Sequence, residues 1–250
     1  MKKSRQFTLA ALCAFTLLLS GCASKTIDGE RADPLQSFNR QMWKFNYNVL
    51  DPYVLEPTAK VWRDYVPKGV TGGLSNMANN LDEPVSFVNR LLEGEGRKAM
   101  VHFNRFWINT VFGLGGLMDF ASASPELRVD NQRTFGETLG AYGVDAGAYI
   151  VLPIYNATTP RELTGTVVDG AYMYPFWHWV GTPWGLLKSG VQVVDKRAQA
   201  LDQTELLRQA QDPYVTFREA YYQNLDFKVN DGKAKDDAPT LSDDVLKEID

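Results

Sequence analysis

Two kinds of apolar pattern divide the chain. Between Phe7 and Leu19 no charged residue occurs, and Lys2, Lys3 and Arg5 stand ahead of that run. A cationic segment followed by a short apolar one is the pattern of a signal peptide, and a permanent membrane span needs a longer run of about 20 apolar residues. From Asp33 onward the period changes. Apolar residues recur at three- and four-residue spacing, punctuated by Pro and Gly, which predicts a series of amphipathic helices.

The first helix is expected to open at Asp33-Pro34, a capping carboxylate followed by proline in the first turn. It carries the stripe Leu35, Phe38, Met42, Phe45 and Val49 and is expected to stop at Asp51-Pro52. Further helices are predicted over Thr58–Tyr65, Val70–Leu81, Pro84–Leu92 and Arg97–Phe112. The last has a wide apolar face that includes Met100, Phe103, Trp107 and Val111, while Arg105 and Asn109 share its polar side. Gly113-Leu114-Gly115-Gly116 ends it, since three glycines permit positive φ. Residues 121–133 read as a loop, Thr134–Tyr142 as a helix, and Tyr149–Ile154 as either a buried strand or an extended segment.

Thr159-Pro160 starts another helix to about Val168. Residues 172–187 then gather aromatics and prolines, with Trp177, Trp179 and Trp184 among them. This cluster reads as a membrane-interface segment, or alternatively as a buried corner. Helices over Leu186–Gln209 and Pro213–Leu225 follow, then a polar linker at 229–240 and a short acidic helix at Leu241–Ile249. The fold class is all-α.

The apolar leader ends in Leu19-Ser20-Gly21-Cys22, which resembles the bacterial lipobox. Cleavage before Cys22 is expected, with a diacylglycerol on its thiol. Each buried methylene of such chains contributes about 0.8 kcal/mol to anchoring. Among lipoproteins an aspartate after the cysteine retains the protein at the inner membrane, so Ala23 implies export to the outer one. The expected organisation is a cleaved signal at 1–21, a lipidated tether at 22–33, a helical domain at 34–226 and a flexible acidic tail at 227–250. Loss of the signal takes the formal charge from −4 to −7, because that segment holds three cations and no anion. An acidic domain is a poor partner for nucleic acid. Cys13 leaves with the signal and Cys22 takes the lipid, so no disulfide is expected. The mature part has neither a long apolar run nor the serial alternation of an outer-membrane barrel, so any membrane entry is by amphipathic helices.

Catalytic patterns are missing. There is no Gly-x-Ser-x-Gly elbow, and His102 and His178, the two histidines, lack metal-ligand spacing. Gly94-Glu95-Gly96 follows no strand and reads as a helix boundary. No catalytic residue, metal or cofactor is expected.

From Asp33 to about Leu225 the sequence resembles the MlaA (VacJ) family. The resemblance is carried by Asp33-Pro34-Leu35, Phe38-Asn39-Arg40, Asn46, Asp51, Trp62-Arg63-Asp64-Tyr65-Val66-Pro67, Leu74-Ser75-Asn76, Glu83-Pro84, Arg105-Phe106 and Asn109-Thr110. It continues through Gly113-x-Gly115-Gly116 with Asp119, Phe135-Gly136-x-Thr138-Leu139-Gly140-x-Tyr142-Gly143-Val144, Leu152-Pro153, Leu206-Leu207-Arg208-Gln209 and Asp212-Pro213-Tyr214. The stretch 155–162 departs from the family pattern. The resemblance implies a ring of amphipathic helices in the inner leaflet of the outer membrane, around a central amphipathic channel. It implies removal of mislocalised phospholipid from the outer leaflet, which maintains lipid asymmetry. The implied partners are trimeric porins, a soluble periplasmic lipid carrier and, through it, an inner-membrane ABC transporter complex.

A headgroup crossing a low-dielectric layer needs polar walls, because an unpaired buried charge is very costly. Asn39, Arg40, Asn46, Arg105 and Asn109 are the candidates for that lumen, the alternative being that they bond helix ends and loops. The segment from Gly113 to Arg133, with Gly115, Gly116 and Asp119, is the candidate gate. The rival to transport is a lipoprotein scaffold that braces porins or the envelope without moving lipid.

Overall fold

The computed structural model describes residues 31–129 and 131–233; the signal, Cys22, Asp130 and the expected terminal helix at 241–249 lie outside them. The described chain is built of helices with one short hairpin. In order, they are α1 (Gln36–Phe45), a π-helical stretch (Asn46–Leu55), α2 (Glu56–Asp64), α3 (Lys68–Asn80), α4 (Glu83–Leu92), α5 (Gly96–Val111) and α6 (Phe135–Ala141). Then come β1 (Ile150–Leu152), β2 (Asn156–Thr158), α7 (Pro160–Val180), α8 (Thr182–Gln199), α9 (Thr204–Gln209) and α10 (Pro213–Val229). No helix among the described residues is long and apolar enough to cross a membrane.

Helices α1 and α5 turn large apolar side chains outward and polar ones inward, the reverse of a water-soluble bundle. On α1 the apolar Phe38 and Phe45 are 47% and 43% exposed, while Asn39 is fully buried. On α5 Phe103 and Trp107 are exposed, whereas His102, Arg105 and Asn109 face inward. Water drives the opposite arrangement, since buried polar groups must each find a partner and large apolar patches stay rare on soluble surfaces. What apolar core there is gathers Trp43, Tyr149, Val151, Tyr214, Tyr222 and Leu225, where α1, β1 and α10 meet. The Trp43 and Tyr149 rings meet Tyr214 edge-on, at interplanar angles of 79° and 72°.

Two helical segments run past their expected ends. Asp51-Pro52 lies inside the π-helical stretch, and the chain continues unbroken into α2. A proline within an α-turn lacks an N–H and its ring meets the carbonyl four residues back. The wider winding accommodates it: the Glu56 N–H reaches five residues back, to the Asp51 carbonyl. The Asp51 carboxylate grips Arg197 of α8 at 2.6 and 2.8 Å instead of closing a helix. Likewise α7 runs through the aromatic cluster with Pro175 inside it, well past Val168. Asp33 also caps nothing. Helix α1 starts at Gln36, and Asp33 accepts hydrogen bonds from Asn39 and the Tyr214 hydroxyl. At the far end, α10 extends to Val229, and Asp231 ties back to Arg90 and Lys98 at 2.5 Å each.

The ambiguous segment near residue 150 is a strand. β1 pairs antiparallel with β2, Val151 opposite Ala157, a partner that the sequence pattern did not announce. Ile154 between them has φ of 70°, a costly conformation for a β-branched residue. Its N–H is donated to the Asn46 side chain at 2.9 Å, which holds the turn. After the hairpin, Thr159 caps α7 by accepting the Glu162 N–H, so the stretch 155–162 keeps a turn and a cap.

Candidate functional site

A polar cavity of about 950 Å³ lies between α3, α4, α5, α7, α8 and α10. Its walls follow from the inverted helix faces. Asn76 and Asn80 come from α3, Arg105 and Asn109 from α5, Asp169 from α7, and Lys188, Gln192 and Lys196 from α8.

One wall is fixed by an ion-pair hub. Glu83, 1% exposed, accepts the Arg105 Nε–H at 2.7 Å and pairs with His102 Nδ1 at 2.6 Å. Arg105 reaches on to Asp119 at 3.1 Å and donates to the Leu127 carbonyl at 2.8 Å. Asn109 donates to Asp119 at 2.9 Å and accepts the Ala121 N–H. Burial on its own would raise Asp119, but bonds from Ser122 and Asn109 and the charge of Arg105 outweigh it and hold the carboxyl below its usual range.

The glycine turn is part of this frame. Gly115 and Gly116 have φ of 74° and 97°, which only glycine adopts easily. A Cβ on Gly116 would sit 2.7 Å from that of Asn80. The Gly116 N–H bonds the Asn109 carbonyl at 2.8 Å, and the Met118 N–H bonds Gly113 at 2.9 Å. Asp119 accepts from Arg105, Asn109 and Ser122, which ties the end of this segment to α5.

Of the five lumen candidates, Arg105 and Asn109 line the cavity. The other three lie away from it and hold the fold. Asn39 donates to Asp33 and the Tyr149 carbonyl and accepts the Val151 N–H, at 2.8–2.9 Å. Asn46 clasps Leu152 and Ile154 of the hairpin in the same way. Arg40 pairs with Asp212 at 2.7 Å and lies over the Tyr214 ring. Trp177 lines the cavity, while Trp179 and Trp184 point outward, 85% and 60% exposed.

Sequence reasoning missed Glu137, Asp169, Lys188, Lys196 and Lys228. A usable signal was the four-residue spacing of Lys188, Gln192 and Lys196, which puts three donors on one stripe of α8. Asp169 accepts from Asn89 at 3.0 Å and from the Phe135 N–H, fixing the start of α6. Glu137 completes the capping box with Thr134. Burial raises both carboxyls; for Glu137 the neighbouring Lys228 opposes this only in part. A carboxyl whose pKa is raised by folding stabilises the fold in its protonated form and loses that contribution as pH rises through its folded pKa. Glu137→Gln keeps the capping oxygen without the charge. It is therefore expected to melt at or above the parent's temperature at pH 8, with the difference shrinking toward pH 4. Thermal melts across that range check this.

His102 is spent on Glu83, and the His178 ring stacks on Tyr174. Among the described residues no group of three His, Cys, Asp or Glu side chains is placed to hold a metal ion.

Exposed apolar side chains on α1 and α5 and a charged, hydrogen-bonded cavity within mark this as an all-α protein with a polar interior. The MlaA lipoprotein family model matches residues 31–228. The chain belongs to that family. It is 69% identical over 251 aligned positions to the intermembrane phospholipid transport system lipoprotein MlaA of Haemophilus influenzae, covering 99% of this chain and 100% of that one. To the protein of the same name in Escherichia coli K12 it is 46% identical, over 97% and 98% of the two chains. A solved chain described under "Structural basis for maintenance of bacterial outer membrane lipid asymmetry" superimposes with a TM-score of 0.74 at 47% identity, covering 80% of this chain and 100% of that chain.

Proposed function

We propose that this protein carries phospholipid between membranes, as the names of its relatives state of them, and so helps keep the outer membrane asymmetric. The observation that carries the reading is the polarity of the helices: greasy side chains outward on α1 and α5, and a cavity of about 950 Å³ walled by charged and amide side chains within. An apolar surround removes any penalty for the outward Phe and Trp side chains, and water or a headgroup inside satisfies the polar walls. The activity is passage of an intact lipid, with no bond made or broken.

The same reading orders the rest of the chain. Residues 1–21 direct export, Cys22 carries the acyl anchor, and residues 23–33 tether the helical domain to the periplasmic leaflet of the outer membrane. Trp179 and Trp184 sit at the lipid–water boundary, where an indole is half wet. Arg105 and Asn109 wall the passage, and Gly113–Gly116 with Asp119 form its rim. Trimeric porins, a soluble lipid carrier and an inner-membrane ABC complex are the partners this scheme requires.

The test is deletion of the gene in its native host and complementation with this chain. Phospholipid is expected to accumulate in the outer leaflet of the deletion strain and to clear on complementation. An unchanged outer leaflet, with envelope defects alone, would establish the scaffold reading instead.

A further inference from the structure

The charges facing the cavity from α8 and α10 do not balance. Lys188 is matched by Asp82, Nζ to Oδ1 at 2.5 Å, and Lys228 stands 3.8 Å from Glu137. Lys196 lines the same cavity, yet it makes no ion pair with any described residue. Its field comes from Lys228, Asp82, Lys188 and Glu137, the four members of the two pairs just named. Lys196 is open to water in the cavity, but the enclosing protein is dense, and burial with the nearby Lys228 charge disfavours its ammonium. Across the cavity α10 presents Asn224 and Lys228, one turn apart.

Lys196 is thus an ammonium without an ion pair in a polar space that Lys228 also faces, and an anion entering from outside can reach it there. A tetrahedral phosphate supplies several acceptor oxygens and at least one negative charge, which suits lysines and an amide that face one polar space. We propose that Lys196, with Lys228 and Asn224, is the resting site of a phosphate group inside the cavity. This deepens the transport reading and rests on it. The stripe Lys188, Gln192, Lys196 makes α8 the rail along which that group travels, and Lys196 its unpaired end. Lys188 and Gln192 are already engaged with Asp82, so the stripe passes the phosphate on and Lys196 holds it.

Two sources offer this chemistry, a phospholipid headgroup and free phosphate, and the probes separate them. The full-length protein in detergent is titrated calorimetrically with dihexanoyl phosphatidylglycerol, dihexanoylglycerol and inorganic phosphate. Phosphatidylglycerol is expected to bind, and dihexanoylglycerol to bind much more weakly. Lys196→Gln is expected to weaken phosphatidylglycerol about tenfold or more, since a charge-assisted hydrogen bond is lost. Lys196→Arg is expected to recover most of it. Because Lys196 has no partner to abandon, Lys196→Gln is expected to melt no lower than the parent, which separates the binding loss from misfolding. Inorganic phosphate that competes at similar concentration assigns the site to the free ion and overturns the headgroup assignment. Equal phosphatidylglycerol affinity in parent and Lys196→Gln overturns the site itself. That last result leaves transport standing, whose own failure shows as an unchanged outer leaflet in the deletion strain.

Discussion

Glu83→Ala is expected to cost about 3–5 kcal/mol of stability, the range found when one member of a buried ion pair is removed. Glu83 is the shared acceptor of Arg105 and His102, and the three are 1%, 7% and 2% exposed. Without it a guanidinium stays buried with only part of its donors satisfied, and the α4–α5 pair loses its polar seam. Arg105 still has Asp119, Ser122 and the Leu127 carbonyl, which keeps the loss from being larger. Glu83→Gln retains one acceptor oxygen but faces Arg105 with an amide that donates, so it is expected to fall between. Urea unfolding in micelles, followed by circular dichroism, ranks the three proteins. A Glu83→Ala midpoint equal to that of the parent would mean that water enters the hub freely, and that the cavity wall is softer than its hydrogen bonds imply.

That hub was half visible in the sequence. Arg105 and Asn109 stood four apart on the polar side of a helix, so their common face was readable. Their acceptor lies on another helix, and no local pattern announces Glu83. The same division runs through the molecule. Helices α3, α4 and α5 fall within two residues of their expected bounds, because Pro and Gly act locally. Pro52 misled because a helix can rewind around a proline when its neighbours hold it, as Arg197 holds Asp51. The apolar stripe of α1 was legible as a stripe. Which side of it meets the protein was not, since periodicity is symmetric between a face that packs inward and one that meets lipid. So Asn39 and Asn46, expected to line the lumen, lie away from the cavity. They clamp the β1–β2 hairpin instead of lining the cavity. The α8 lysines escaped notice for the reverse reason, because charges at four-residue spacing usually mark a solvated face.

The inverted helices lead to a second large effect. Trp107 and Val111 stand one turn apart on α5, 57% and 49% exposed, and neither shares in the hydrogen bonds of the hub. In a bilayer both would be covered. Burying a large apolar side chain contributes about 1.5–3 kcal/mol, so replacing both by glutamate removes roughly 3–6 kcal/mol of membrane affinity. That corresponds to about a hundredfold weaker partitioning or more. The acyl anchor would mask the loss, so the comparison is made on the Cys22→Ser chain, with vesicles of phosphatidylethanolamine and phosphatidylglycerol. The parent is expected to float with the vesicles and the Trp107→Glu, Val111→Glu variant to remain behind. In detergent the two are expected to unfold within about 0.5 kcal/mol of each other, as surface substitutions do. A parent chain that ignores vesicles, or a doubly charged variant that binds them equally well, would show that the outward apolar face meets something other than lipid. The polar cavity would then need a different surround to explain why its helices are built with their charges inside.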